Sequence, residues 1–185
     1  MSVVTDRASW KIKDAAILPE LLTLIELGAD EAALLGSVQD RARTAAPQMT
    51  AEFYRRLLAH PETSEYFAGK SMDHLHGMIG KWFIELFDGT YDEAYARRRM
   101  VIGEVHVKIG LPVRYPLAMM DVVLPFGEQV ARESSNPDMG VGAFRKVLSL
   151  DVAIFNQAYE DNQLKHLAEL VGGERLARLL LAGAA

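Results

Sequence analysis

Apolar residues recur along this chain at intervals of three and four, and Ala, Leu, Glu, Arg and Met fill most positions. Strand-like alternation bounded by turn residues is missing, so the pattern predicts an all-α fold. After a loose N-terminal arm over residues 1–14, a short helix is expected from Ala15 to Leu27, stopped by Gly28. Asp30 is the expected N-cap of a second helix reaching about Thr44, and Pro47 is expected to open a third that ends near His60-Pro61. A turn of helix around Glu62–Phe67 closes at Gly69. Met72–Phe87 reads as a helix broken by Asp88-Gly89, and Tyr91–Ile109 as the next, with Gly110 and Pro112 just beyond it. Pro112 restarts the chain into a long helix to about Ser134, and the run Ser-Ser-Asn-Pro-Asp-Met-Gly reads as a turn. A final helix extends from Val141 to about Val171, followed by Gly172-Gly173 and a short tail helix within 172–185. Roughly eight helices on short loops, with no linker, make one domain over residues 1–185.

Three stretches of this pattern carry chemistry. Val101, Ile102, Val105, His106 and Ile109 share one helical spacing, so His106 is expected on the apolar side of its helix. A buried imidazole needs partners for its nitrogens, and the residues alone leave two readings: a satisfied core histidine, which the spacing favours, or a metal ligand. Leu75, Met78, Ile79 and Trp82 form a continuous apolar face on the helix before it. His74 and His76 lie about 200° apart around that helix, so they cannot chelate one metal together; both are expected at the solvent side or flank. The final helix is about 45 Å long at the standard rise, and its apolar residues cover more than one stripe. With Leu117, Met120, Val123, Leu124 and Phe126 on the preceding helix, this suggests a homodimer through the last two long helices.

Composition narrows the picture. Half of the 185 residues are apolar, enough for a sizeable core. The net charge of −5 argues against nucleic acid and anionic membrane surfaces as partners. No run approaches the roughly twenty apolar residues of a membrane span, and the N-terminus lacks a signal-peptide core, so a cytoplasmic protein is expected. The absence of cysteine excludes disulfides, thiolate metal sites and haem attachment through Cys-x-x-Cys-His. There is no phosphate-binding loop, His-Glu-x-x-His or serine elbow.

The run His106-Val-Lys-Ile-Gly-Leu-Pro, followed by Tyr115, resembles the proximal signature of globin-coupled sensors and their single-domain relatives, the sensor-globin and protoglobin lineage. Phe53-Tyr54-Arg-Arg-Leu-Leu-Ala-His-Pro-Glu is similar to that family's second helix, and the extra helix around Ala15–Leu27 also matches. The resemblance covers nearly the whole chain, and the two motifs in this order are more specific than either alone. It implies a three-on-three globin fold with an extra N-terminal helix and long C-terminal helices. It further implies haem b, with His106 as proximal iron ligand, and a diatomic gas as ligand: O₂, CO or NO.

Carried across by resemblance, Tyr54 takes the distal position, its hydroxyl available to bound O₂, and Leu75 stands where vertebrate globins have a distal histidine. Met78, Ile79 and Trp82 complete the distal wall; Phe53, Phe67, Val105, Ile109, Leu111 and Tyr115 are further expected haem contacts. Arg97, Arg98, Arg99 and Lys108 are candidates for pairing with the haem propionates. Pro116 stands where the family often has a second aromatic. A gas-binding sensor without an enzymatic activity of its own is the reading this favours. A haem enzyme such as an NO dioxygenase or peroxidase, and a haem-free signalling module, are the alternatives.

Overall fold

The computed structural model describes residue 10, residue 12 and residues 16–183. Apart from Trp10 and Ile12, the N-terminal arm expected over residues 1–14 lies outside the described residues, as does Ala15. The described chain is helical without a strand: α1 (Ile17–Ile25), α2 (Ala29–Gly36), α3 (Gln39–Leu58), α4 (Pro61–Ser64) with a 3₁₀ turn (Glu65–Phe67), α5 (Met72–Glu85), α6 (Glu93–Lys108), α7 (Arg114–Ala118), α8 (Met120–Ala131), α9 (Pro137–Val171) and α10 (Glu174–Leu181). None of its helices is long and apolar enough to cross a membrane.

Four boundaries differ from the pattern. The cap of α2 is Gly28, not Asp30, because the Glu31 carboxylate accepts from the Gly28 N–H at 2.9 Å and replaces a side-chain cap. Glu31 also accepts from Lys146 of α9 at 2.8 Å, which ties this corner to the long helix. The break before α3 falls at Ser37-Val38, not at Pro47, which sits inside α3 on its exposed side. There the carbonyl that loses its donor faces water, which lowers the cost of an interior proline. Gly36, which ends α2, lies against Gly89 of the α5–α6 loop, whose φ of 71° suits glycine; a Cβ there would meet the Ala32 carbonyl at 3.0 Å. The helix expected over 112–134 divides at Met119 into α7 and α8. Finally, α9 starts at Pro137 within the expected turn, with Asn136 accepting from the Met139 N–H and proline at the first position.

Two layers cross. α5 packs across α3, while α2 and α6 pack across α9, and α8 joins α3 to α9. The core between them holds Leu35, Met49, Phe83, Leu86, Phe87, Val122, Val123, Phe144, Leu150 and Ile154. Phe87 and Phe144 stack with centroids 5.3 Å apart. Phe144 reaches this position only because residue 127 is glycine; a Cβ would lie 1.9 Å from its ring. α6 seats on α9 with Gly103 against Ala158 and the Phe155 carbonyl, again too close for a side chain.

Candidate functional site

α6 buries Tyr95, Ala96, Arg99, Met100 and Gly103 against α9. The apolar set expected to be buried does not belong to that face: Val105 is 51% and Ile109 40% exposed, and His106 sits half-buried at the edge. The reason is that α5, the next element on that side, packs on α3 instead of on α6. Among the described residues, ion pairs join α5 to α6 near their connecting loop. There Arg99 donates to Glu85 at 2.6 Å, and Arg98 pairs with Glu85 and Asp88 at 3.5 and 3.4 Å. Beyond this pin the helices part. Leu75, Met78, Ile79 and Trp82 share the side of α5 from which Trp82 reaches α9, and Met78 is 50% exposed. Ile102, Val105, His106 and Ile109 stand on the α6 side. These are the two apolar faces that the resemblance sets on either side of one site.

His106 is prepared in a specific way. Its Nδ1 lies 2.7 Å from the Ile102 carbonyl oxygen, one turn back. A carbonyl only accepts, so Nδ1 carries the proton and Nε2 keeps its lone pair. Burial lowers the His106 pKa below its ordinary value, the carbonyl bond opposes this in part, and nearby Lys70 lowers it further. The Phe155 ring meets the imidazole edge-on, centroids 5.4 Å apart and planes at 82°. A neutral imidazole, oriented by a backbone carbonyl with the other nitrogen free, is the donor that a metal selects. Among the described residues no group of three or more His, Asp or Glu is placed to hold a metal ion. One histidine does not hold a metal alone, so an iron at His106 would need its other ligands from a bound macrocycle.

Tyr54, on α3, is buried and stacks flat on the His76 imidazole, 4.7 Å between centroids and 10° between planes. Phe53 and Phe67 meet it edge-on at 5.6 and 5.5 Å. Burial pushes its phenol up to about 12, so the hydroxyl stays protonated, and no described residue hydrogen-bonds it. His76 is half-buried on the flank of α5 that faces α3, in keeping with the expected solvent side or flank, whereas His74 is exposed. Leu111 and Tyr115 frame the end of α6. The Leu111 carbonyl accepts from Tyr159 at 2.9 Å, and the Tyr115 ring lies 6.5 Å from Tyr66, whose hydroxyl donates to the Gly110 carbonyl.

The basic run resolves differently from expectation. Arg99 is 1% exposed and engaged with Asp151 and Glu85; Arg98 is paired as above, and Arg97 with Glu93. Only Lys108 of the four stays exposed without an ion pair in the described structure. Asp151, the partner of Arg99, Tyr95 and Trp82, went unnoticed in the sequence. Its signal was there: a single carboxylate within the apolar run Leu148–Phe155. A separate groove of about 890 Å³ lies on the other side of α5, lined by Thr50, Gly77, Gly80, Arg43 and Lys81, with His76 at its edge. Leu75, Met78, Ile79, Trp82 and His106 do not line it.

An all-helical chain with an oriented histidine near the end of α6 is compatible with a globin, and comparison with known proteins shows the family. The Protoglobin family model matches residues 14–165. The globin domain of the Geobacter sulfurreducens globin-coupled sensor superposes with a TM-score of 0.70 at 28% identity, over 77% of this chain and 97% of that one. The heme-based aerotactic transducer HemAT of Halobacterium salinarum is 25% identical over 169 residues. That match takes in 83% of this chain and 35% of the relative, so the chain spans about a third of that protein's length. This chain belongs to the protoglobin family, and its all-α fold is that of a globin-coupled-sensor globin.

Proposed function

We propose that a slot between α5 and α6 holds haem b and that the protein is a haem-based sensor of a diatomic gas: O₂, CO or NO. The observation that carries this reading is the His106 tautomer, with Nδ1 donating to Ile102 and Nε2 left as a free donor atom for iron. A haem held there supplies an iron with a coordination position open to a small gas. The chain's own residues do the remainder. Phe155 and the Ile102 carbonyl fix the imidazole plane. Leu75, Met78, Ile79, Trp82, Val105 and Ile109 offer apolar surface, and Phe53, Phe67, Leu111 and Tyr115 close the ends. The Tyr54 hydroxyl, protonated and without a partner, is available to donate to a polarised gas. The names of the two relatives, a heme-based aerotactic transducer and a globin-coupled sensor, support a sensing role over catalysis.

The whole chain acts as one sensor domain in this reading, placed in the cytoplasm. It works as a homodimer through α8 and α9, where Leu124 of α8 is 37% exposed and Met120 half-buried. The oxidised and reduced absorption spectrum of the purified protein tests the core of the proposal. A Soret band that shifts with CO is expected, and none after haem reconstitution overturns it. Sedimentation tests the dimer: Leu124→Glu should yield monomers, and a monomeric wild type rejects that part.

A further inference from the structure

Asp151 is a buried carboxylate halfway along α9, and its oxygens gather donors from both α5 and α6. Trp82 Nε1 of α5 donates to Oδ2 at 2.9 Å; the Tyr95 hydroxyl of α6 donates to Oδ1 at 2.7 Å, and Arg99 Nε also donates to Oδ1. Arg99 in turn lies over the Tyr95 ring at 4.2 Å and holds Glu85. A carboxylate in such a place is not the cheapest filling, since a well-packed apolar side chain commonly serves stability as well or better. One turn further along the same stripe of α9, Phe155 touches the His106 ring and backs Gly103. Tyr95, Arg99, Gly103 and His106 thus rest on one ridge of α9, starting at Asp151.

We propose that Asp151 is the positioning residue of the slot, setting the Trp82 wall and the seat of α6 in a single contact, and through α6 the orientation of His106. α5 and α6 pack on different partners, so a displacement of Trp82 reaches the proximal helix by way of Asp151. The Glu85 pairs with Arg98 and Arg99 offer the other route between the helices and serve as the control. The proposal concerns the same site as the gas-binding reading and rests on it for its consequence at the iron, while the contact itself is a property of the chain.

The test uses hydrogen exchange in the full chain and then spectroscopy. Trp82→Phe keeps an aromatic ring and removes one hydrogen bond. It should raise exchange in residues 99–106 of α6 about fivefold, the factor that one net hydrogen bond represents. The increase should persist in Glu85→Gln and vanish in Asp151→Asn. Unchanged α6 exchange in Trp82→Phe overturns the proposal, as does an increase undiminished by Asp151→Asn. In the haem-loaded protein, Asp151→Asn should move or broaden the iron–histidine stretching band, with Asp151→Glu restoring part of it. A lowered unfolding midpoint with an unmoved band reduces Asp151 to a structural residue. A wild type without a Soret band rejects the haem reading alone, and the exchange arm still decides the contact.

Discussion

The Tyr54 phenol and the His76 imidazole lie face to face, 4.7 Å between centroids and 10° from parallel, although one belongs to α3 and the other to α5. The stack fixes the phenol while leaving its hydroxyl without a partner. If that hydroxyl donates to O₂ in the slot, Tyr54→Phe should speed O₂ release by roughly five- to tenfold, as expected for one hydrogen bond. CO release, which engages a donor less, should change little. Stopped-flow measurement of both gases decides it, and an unchanged O₂ off-rate removes Tyr54 from the site.

Replacing His76 should act indirectly. His76→Ala leaves the hydroxyl in place but frees the ring to reorient, so the O₂ off-rate should become heterogeneous without a loss of haem. A single exponential matching wild type means that the stack has no bearing on gas binding.

His106 makes the haem-free protein sensitive to acid. Burial depresses its pKa in the folded state below the ordinary 6.5, so between these two values the unfolded chain binds the extra proton. Stability contributed by the neutral imidazole is present above pH 6.5 and declines as pH falls through and below it. Denaturant midpoints at pH 7.5 and 5.5 should therefore differ less in His106→Gln than in wild type. An identical pH dependence contradicts a buried neutral imidazole.

Two glycines predict opposite outcomes. A Cβ at Gly103 would meet the Ala158 Cβ at 2.5 Å and the Phe155 carbonyl at 2.9 Å, so Gly103→Ala forces α6 off α9. It should cost about 1–3 kcal/mol, as overpacking does. Gly77, in the middle of α5, has nothing within 4 Å of a built Cβ. Gly77→Ala should stabilise by about 1 kcal/mol from helix propensity. Urea unfolding of the pair measures both signs, and a stabilised Gly103→Ala contradicts the close crossing.

The all-α class and most helix positions were legible in the chain, because each is written in local spacing and helix-ending residues. Pro47 and the 134–140 turn misled because a proline's effect depends on which side of a helix faces water and on what lies beside it. Arg99 misled for a related reason: nothing local announces that Asp151, 52 positions away, receives it.

The sequence by itself determined that His106 stands with apolar neighbours near the end of a helix, since a 3.6-residue period places those side chains together whatever surrounds them. It did not determine what they face. Only the tertiary structure decided that His106 turns with Tyr95, Arg99 and Gly103 toward α9, where Phe155 meets its ring, while Val105 and Ile109 beside it stay exposed. Burial is a property of the neighbouring element, and α5 found its closer partner in α3.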